Sequence, residues 1–351
     1  MEIARSDEDI IEFMRIITSL MEIKEHPILV DQYVEGQECE VDAVSDGEDI
    51  LVPGIMQHLE RAGVHSGDSI SVYPAQTLPH DICMKLVEHA RALARALHVK
   101  GLVNIQFIVK DGRVYVIEVN PRSSRTVPYI SKVTGVPIVK LATRVILGEK
   151  LRDMGYGVGL YKKSRLVAVK MPVFSFEKLI DAEPSLGPEM KSTGEVLGIA
   201  ESFPQALLKA FKGANMRAPK KGGRIIITVK DEDKGEAIGI ARGFADLGVE
   251  ILGTEGTRQM LEKAGVPCTP VARVSERHPN IMDMIASGTI DLVINTPTRG
   301  RKQNTDGFKI RRATVEHSVG CVTAIDTARA LLTARQQGRS RDLQAIDITK
   351  I

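Results

Sequence analysis

The stretch Gly101-Leu-Val-Asn-Ile-Gln-Phe-Ile-Val-Lys-Asp-Gly-Arg-Val-Tyr-Val-Ile-Glu-Val-Asn-Pro-Arg-Ser-Ser-Arg125 decides how this chain folds. Two runs of apolar and β-branched residues flank Lys110–Gly112, which predicts two antiparallel strands joined by a hairpin turn. A three-residue loop with Gly112 in the left-handed conformation would pair Val109 with Arg113.

One face of the predicted hairpin carries polar side chains. In this register Gln106 lies opposite Val116, on the face that also carries Glu118 and Asn120, because side chains alternate along a strand. The residues expected to point the other way, into a core, are Tyr115, Ile117 and Val119. A glutamine, a glutamate and an asparagine on one sheet face supply oxygen ligands suited to Mg²⁺ bridging phosphates.

Two arginines follow the second strand of the hairpin. The guanidinium groups of Arg122 and Arg125 suit phosphoryl oxygens, which they bind in a planar fork. The alternative is an ordinary surface hairpin whose polar face is solvated. Taken together, the residue types favour a site for the phosphates of a nucleotide.

The residues of the hairpin resemble those of a known enzyme family. Ile117-Glu-Val-Asn-Pro-Arg122 resembles the signature of ATP-grasp ligases. The segments that resemble the second, C-terminal half of the carbamoyl phosphate synthase large chain are Asn120–Tyr129, Ser131–Pro137 and Leu186–Glu195. The resemblance extends over almost the whole chain. It implies a mixed α/β and α+β architecture, in which a partial ATP-grasp lobe is followed by a methylglyoxal-synthase-like parallel α/β domain.

The resemblance also implies site residues in the first domain. Those expected at ATP are Glu38, Gly63, Val64, His65, Ser66, Gln106 and Glu118. The expected ligands of a divalent cation, Mg²⁺ or Mn²⁺, are Gln106, Glu118 and Asn120, and K⁺ is a further candidate cation. Arg122 and Arg125 are expected to contact the transferred phosphoryl group. The implied reaction is phosphorylation of carbamate by ATP, which serves pyrimidine and arginine biosynthesis. Phosphoryl transfer depends mainly on positioning and charge neutralisation, so no nucleophilic side chain is needed.

The last third of the sequence predicts a parallel sheet. Buried-type strands at Arg224–Val229, Val249–Leu252 and Asp291–Asn295 alternate with helical segments. Gly253–Thr257 lies between a strand and a helix, where backbone amides and hydroxyls form an anion site in many proteins. The alternative is a plain loop between a strand and a helix.

The resemblance implies that this second domain senses a nucleotide monophosphate such as UMP or IMP. The positions that match the family's effector site are Lys234, Thr254, Thr257, Arg273 and Asn295, with Arg273 replacing a lysine of some members. The resemblance does not extend to the ornithine site known in some members. Glu60 and Asp68 match that site, but Met171 stands where it uses a glutamate and Cys321 where it uses a tyrosine.

The chain divides into three predicted units. These are a partial ATP-grasp lobe at 1–150, the remainder of the synthetase module with a connecting helix at 151–218, and the regulatory domain at 219–351. Further elements predicted from local patterns are a helix from Ser6 to about Met21, strands at Ile28–Asp31 and Glu38–Val44, a helix over Asp81–Leu97, a capping box at Ser202–Gln205, and a helix capped by Asp233.

Composition excludes several classes of protein. A net charge of +2 gives no reason to expect nucleic acid or a membrane as a partner, and no apolar run approaches membrane-spanning length. The acidic N-terminus does not resemble a signal peptide, and the scattered cysteines Cys39, Cys83, Cys268 and Cys321 indicate reduced thiols in a cytoplasmic protein.

Three functional interpretations remain open. In the first, the chain is the carbamate-phosphorylating part of a larger enzyme, working with a missing N-terminal part and a glutaminase small subunit. Family members carry a lid lobe before the point where this sequence starts, so the chain is expected to be inactive alone, whether it is a split subunit, a fragment or a relic. In the second, it binds nucleotide and docks to a partner without catalysis. In the third, the last domain is a methylglyoxal synthase. This interpretation is disfavoured because the sequence shows no convincing catalytic aspartate cluster beside the Thr254 loop.

Overall fold

The computed structural model describes residues 4, 6–20, 28–178, 182–297, 305–337 and 343–348. Its strands are β1 Gln37–Asp46, β2 Ile50–Val52, β3 Ile55–His58, β4 Ser71–Tyr73, β5 Lys100–Lys110, β6 Arg113–Asn120, β7 Gly159–Leu160, β8 Val167–Val173, β9 Gly194–Ala200, β10 Arg224–Thr228, β11 Glu250–Gly253, β12 Thr269–Pro270, β13 Leu292–Asn295 and β14 Gly320–Val322.

The helices surround two separate sheets. They are α1 Asp7–Leu20, α2 His80–Ala96, α3 Val127–Thr134, α4 Ile138–Ile146, α5 Phe203–Gly213, α6 Lys234–Asp246, α7 Glu255–Lys263, α8 Ile281–Ala286, α9 Asp306–Glu316 and α10 Ile325–Gln337. Among the described residues, none of the helices combines the length and the apolar character that crossing a bilayer requires.

The first sheet has the order β6-β5-β1-β3-β4-β8-β9, with β2 paired to β1 and β7 paired to β2. Its neighbouring strands are antiparallel except for the short β2–β7 pair. Strand β1 lies inside this sheet and is buried on both faces. Its residues Cys39, Val41 and Ala43 pack into an apolar core with α2. The alternate residues of β1 therefore project from the opposite face, where the candidate site lies.

Helix α2 covers the apolar face of this sheet. The sequence predicts an amphipathic helix over Asp81–Leu97, and the structure has one at His80–Ala96. Its buried side chains, among them Ile82, Leu86 and Ala90, pack against β1 and β5. This layer fixes the position of β1 and β5 and so determines where their polar side chains emerge.

The second sheet confirms the predicted parallel α/β architecture. Its order is β12-β11-β10-β13-β14, and all of its neighbouring strands are parallel. One side packs on α6 and α10, and the other packs on α8 and α9. Helix α5 joins the two sheets, since Leu207 and Phe211 belong to a core shared by β8, β10 and α10. The two sheets are thus connected through a continuous apolar core.

The hairpin of β5 and β6 differs from the predicted register. Its loop has two residues, Asp111 and Gly112, both with positive φ, so Lys110 pairs with Arg113 and Val109 with Val114. A two-residue loop with positive φ at both positions matches the right-handed twist of the flanking strands, which explains why it forms here instead of the predicted three-residue loop. The predicted pairing of Val109 with Arg113 and of Gln106 with Val116 is therefore wrong.

The predicted burial of the outer face of β6 is wrong for Tyr115 and Ile117, whereas Val119 packs against the apolar core beneath α2. Tyr115 and Ile117 have exposed fractions of 37% and 46%, whereas Val119 is half-buried. Strand β6 lies at the edge of the sheet and pairs only with β5 among the described strands. Periodicity alone gives no information about which strand is at an edge.

Several smaller predictions also have outcomes. The strand predicted at Ile28–Asp31 is wrong, because residues 28–35 have no regular secondary structure. The helix predicted at Ser202 forms, but the Ser202 side chain makes no capping hydrogen bond, so no capping box is present there. Asp233 likewise makes no side-chain capping bond and ends a short 3₁₀ turn before α6. The first helix forms from Asp7, and its predicted end at Met21 falls outside the described residues.

Candidate nucleotide site and candidate effector site

A β-bulge places the predicted metal ligands on one face of the first sheet. Gln106 pairs with Glu118, and Phe107 pairs with Val116, so Ile117 is the extra residue of β6. Without this extra residue, Glu118 would face the apolar core. With it, Glu118 and Asn120 share the face of Gln106.

The three side chains form one hydrogen-bonded cluster. The Glu118 carboxylate oxygen Oε1 accepts from Gln106 Nε2 at 3.0 Å and from Asn120 Nδ2 at 2.8 Å. Gln106 Nε2 also donates to Ser66 Oγ at 3.0 Å, so the predicted loop residue Ser66 reaches the same cluster. The sequence prediction that these residues lie together is therefore reproduced by the geometry.

The oxygen atoms of Gln106, Glu118 and Asn120 suit a hard divalent cation whose remaining ligands come from water and from a substrate. Glu118 is exposed and carries the single carboxylate, while Gln106 and Asn120 offer amide oxygens once they turn. Within the described part of the chain, no group of three His, Cys, Asp or Glu side chains could hold a metal ion alone. Mg²⁺ commonly binds through one or two carboxylates and completes its shell with water and phosphate oxygens. The cluster has the composition of such a site.

Three buried carboxyl groups lie on the same face along β1. Glu38, Glu40 and Asp42 are at most 3% exposed. The ring of His58 lies between two of them, with nitrogens 3.6 Å from Glu38 and 3.4 Å from Glu40. Lys170 of β8 is also buried, and Nζ donates to the carbonyl of Ser66 at 3.0 Å. A buried charge cluster thus lies directly beneath the predicted nucleotide loop.

Burial sets the protonation of this cluster. It raises the pKa of Glu38 to about 7, with the neighbouring His58 acting in the opposite direction. Burial, followed by the charge of Glu40, raises the pKa of Asp42 to about 6. Burial also acts to raise the pKa of Glu40, but the hydrogen bond and charge of His58 and the charge of Lys170 hold it below its ordinary value. Glu40 is therefore the ionised partner of His58 and Lys170.

Polar side chains from other elements complete the cluster. Asn104 donates to Glu40 at 2.6 Å and to Asp42 at 2.9 Å, and Ser124 donates to Asp42 at 2.7 Å. Sequence reasoning selected Glu38 and missed the others. A signal was present, because acidic residues alternate strictly with apolar ones along β1, and Lys170 interrupts an otherwise apolar strand.

The loop at 63–69 packs against a segment from later in the chain. Gly63 has φ of +104°, which favours glycine, and Val64 is half-buried. The His65 amide donates to the carbonyl of Gly187 at 2.8 Å, and the Gly67 amide donates to His65 Nδ1 at 3.0 Å. The His65 ring therefore supports its own loop.

The two predicted arginines lie exposed at the end of β6. Arg122 donates from Nη1 to the Ser123 carbonyl at 2.9 Å, and Arg125 donates from Nη1 to the Ser192 carbonyl at 3.3 Å. The weak bond of Arg125 leaves its guanidinium group available for an anion. Burial raises the pKa of the nearby Glu195, and the charges of Lys170 and Arg125 act in the opposite direction.

Two residues that match an ornithine site are already engaged. Glu60 accepts from the Ile70 amide at 2.8 Å and from the Thr327 hydroxyl at 2.7 Å. Asp68 accepts from the amides of Lys191 and Ser192 at 2.8 and 2.9 Å. Both carboxylates therefore have a structural role, since they connect segments that are distant in the sequence.

The predicted effector residues lie at the carboxyl ends of the strands of the second sheet. Thr254 is the first residue after β11 and precedes α7, Lys234 begins the helix after β10, and Arg273 follows β12. Asn295 ends β13 beside Thr228 of β10. In parallel sheets ligands bind at this edge, because loops and helix N-termini meet there.

These effector positions differ in exposure. Thr257 is buried and its methyl group packs against Gly253, where an added Cβ would lie 3.0 Å away. Lys234 is half-buried and pairs with Asp231 at 2.6 Å, whereas Arg273 is exposed. Asn295 is buried and bonded within the protein, accepting from Arg311 at 2.5 Å and donating to Thr228 at 2.6 Å. Arg311 was not predicted from the sequence.

Comparison with known proteins identifies two matching families. Residues 1–154 match the family described as carbamoyl-phosphate synthase L chain, ATP binding domain, and residues 236–323 match the MGS-like domain. The carbamoyl phosphate synthase large chain of Lachnoclostridium phytofermentans is 56% identical over 351 residues, which is 100% of this chain and 33% of that protein. The large chain of Agathobacter rectalis is 57% identical over 335 residues, covering 95% of this chain and 31% of that protein.

The chain thus spans about a third of the length of the curated relatives it matches. Among solved structures, a biotin carboxylase domain of a thermophilic 2-oxoglutarate carboxylase bound to bicarbonate aligns with a TM-score of 0.45 and 16% identity. The alignment covers 60% of this chain and 53% of the biotin carboxylase chain.

Proposed function

Because this chain belongs to the carbamoyl phosphate synthase large-chain family and corresponds to its C-terminal part, we propose that it carries the carbamate-phosphorylating site of such an enzyme. The observation that carries the proposal is the single hydrogen-bonded cluster of Gln106, Glu118 and Asn120, followed immediately by Arg122 and Arg125. We propose that the chain has three units, which are a partial ATP-grasp lobe at 1–150, the remainder of the synthetase module at 151–218 and the regulatory domain at 219–351.

The residues around this cluster have distinct proposed roles. Gln106, Glu118 and Asn120 hold a divalent cation, which neutralises charge on phosphoryl oxygens when it is bound. The loop Gly63–Ser66 and Glu38 hold the nucleotide, with Gln106 and Glu118 reaching its phosphates. Lys170 fixes the carbonyl of Ser66 from below. Ser66 in turn orients Gln106.

Arg122 and Arg125 contact the phosphoryl group during its transfer to carbamate. Both are exposed at the same end of β6, and neither is held in an ion pair among the described residues. Carbamate is already an anion, so no general base is required, and electrostatic stabilisation supplies most of the catalysis. His65 serves the loop and does not transfer a proton.

The proposed activity requires further parts of the enzyme. We propose that the chain works with the N-terminal part of the large chain and with a glutaminase small subunit, in a cytoplasmic enzyme. Its product would serve pyrimidine and arginine biosynthesis, and UMP or IMP would regulate it through Lys234, Thr254, Thr257, Arg273 and Asn295. K⁺ is a further proposed cation.

A second candidate function is nucleotide binding and regulation without turnover, in a chain that docks to a partner. The candidate effector residues lie at the carboxyl edge of a separate parallel sheet, which favours a regulatory role for that part of the chain. ATP formation from carbamoyl phosphate and ADP separates the two functions. We expect activity when the chain is combined with the remainder of the large chain, and none from the chain alone. A combined preparation that binds nucleotide but forms no ATP would favour the second function.

A further inference from the structure

Arg311 lies buried beneath the candidate effector site and joins it to the segment 183–192. Its Nη1 donates to the side-chain amide oxygen Oδ1 of Asn295, and its Nε and Nη2 form a fork with the Glu183 carboxylate at 2.7 and 2.8 Å. Arg311 is 3% exposed, and the Glu183 side chain is 11% exposed. A buried guanidinium group gives up such bonds only at considerable cost, so Asn295 and Glu183 must move together.

The segment that begins at Glu183 is held as a compact unit. The Glu183 carboxylate accepts from the Ser185 amide at 3.0 Å. Lys191 crosses back over the segment, and its Nζ donates to the carbonyls of Glu183 and Ser185 at 3.1 and 2.8 Å. A displacement of Glu183 is therefore passed to Lys191 through several short bonds.

The other end of this segment holds the candidate nucleotide loop. The amides of Lys191 and Ser192 donate to the two oxygens of Asp68, which is fully buried. The His65 amide donates to Gly187, and the Ser192 carbonyl accepts from Arg125. The segment 183–192 thus contacts both the nucleotide loop and a proposed catalytic arginine.

We infer that the segment 183–192 couples the effector site to the nucleotide site, with Arg311 as the positioning residue between them. The inference rests on the proposed function, since it requires a nucleotide to bind at Asn295. Both polar groups of the Asn295 amide are already used, by Arg311 and Thr228. A nucleotide that bonds to Asn295 must share or replace one of these bonds, which shifts Arg311, then Glu183, and then the loop at 63–69.

Hydrogen exchange on the full chain tests this coupling. UMP and IMP are added separately, and exchange is followed at the amides of His65, Lys191 and Ser192. Binding itself is followed by the NMR shifts of the Gly253–Thr257 amides. We expect bound nucleotide to change exchange at the remote amides by roughly 5- to 150-fold, the usual range of coupling between sites.

Two variants interrupt the connection at different points. Arg311→Lys keeps a positive charge beside Glu183 but loses the fork, and Lys191→Met cuts the link farther from the effector site. Arg224→Lys is the matched control, because Arg224 pairs with Glu250 at the amino ends of β10 and β11, away from the candidate effector residues. We expect Lys191→Met to bind nucleotide with unchanged affinity and to lose the remote response, while Arg224→Lys keeps both.

The outcomes separate this inference from the function on which it rests. A nucleotide that shifts the Gly253–Thr257 amides but leaves His65, Lys191 and Ser192 unchanged overturns the coupling alone. A remote response that survives in both Arg311→Lys and Lys191→Met also overturns it. If neither nucleotide binds at the second sheet, the effector role fails, and this inference fails with it.

Discussion

Replacing Glu38 by glutamine should flatten the dependence of stability on pH. Burial raises the pKa of Glu38 from its ordinary value of 4.5 to about 7. A group whose pKa is raised by folding contributes stability that is present below its unfolded pKa and lost as pH rises through its folded pKa. At about 1.36 kcal/mol per pKa unit, Glu38 alone should lower the free energy of unfolding by about 3 kcal/mol between pH 4.5 and pH 8.

The assay is urea unfolding at fixed temperature between pH 5 and pH 8. We expect the free energy of unfolding of the unmodified chain to fall across this range, and that of Glu38→Gln to fall by about 2–3 kcal/mol less. His58 contributes in the same direction, because its hydrogen bond to Glu40 and the charges of Glu38 and Glu40 outweigh burial and raise its pKa. Glu48→Gln is the control, since Glu48 is exposed and pairs with Lys150 at the surface. Equal slopes for Glu38→Gln and the unmodified chain would refute the reasoning.

Three further predictions concern the proposed sites. In the assembled enzyme, Arg125→Ala should slow ATP formation from carbamoyl phosphate and ADP by roughly 10²–10³, the cost of one preorganised contact to a transition state; near-normal turnover would exclude that role. Without nucleotide, calorimetry should detect Mg²⁺ binding no tighter than millimolar, since Glu118 is the single carboxylate of the cluster, and micromolar affinity would contradict this assignment. Thr257→Val keeps the methyl packing on Gly253 and removes a hydroxyl, so UMP or IMP affinity should fall by roughly tenfold to a hundredfold with an unchanged melting temperature of the free protein; calorimetric titration beside thermal unfolding decides.

The face that carries Gln106, Glu118 and Asn120 could be predicted from the sequence, although the register leading to it was wrong. A three-residue loop and a regular ladder place Glu118 on the same face as Gln106. The real loop is one residue shorter, and the bulge at Ile117 restores the alternation. The two errors cancel because side chains alternate with a period of two, so one extra residue offsets one missing residue.

The burial of Glu38, Glu40 and Asp42 could not be predicted from local patterns, although the alternation along β1 places them on one face. Alternation gives no information about what covers that face. The cover comes from distant residues such as His58 and Lys170, brought in by sheet order. The Arg311–Glu183 fork could not be predicted for the same reason. Its two residues lie 128 positions apart, and no local pattern in the sequence connects them.

The most direct measurement of the central claim is ATP formation from carbamoyl phosphate and Mg²⁺-ADP by the chain assembled with the remainder of the large chain, comparing Glu118→Gln with Glu88→Gln. Glu88 is an exposed glutamate on α2, away from the polar face. We expect Glu118→Gln to lose activity by at least about 10²-fold, because the cluster loses its single carboxylate, while Glu88→Gln keeps full activity. Glu118→Gln activity equal to that of Glu88→Gln would contradict the proposal that this cluster holds the metal and the phosphates of the nucleotide.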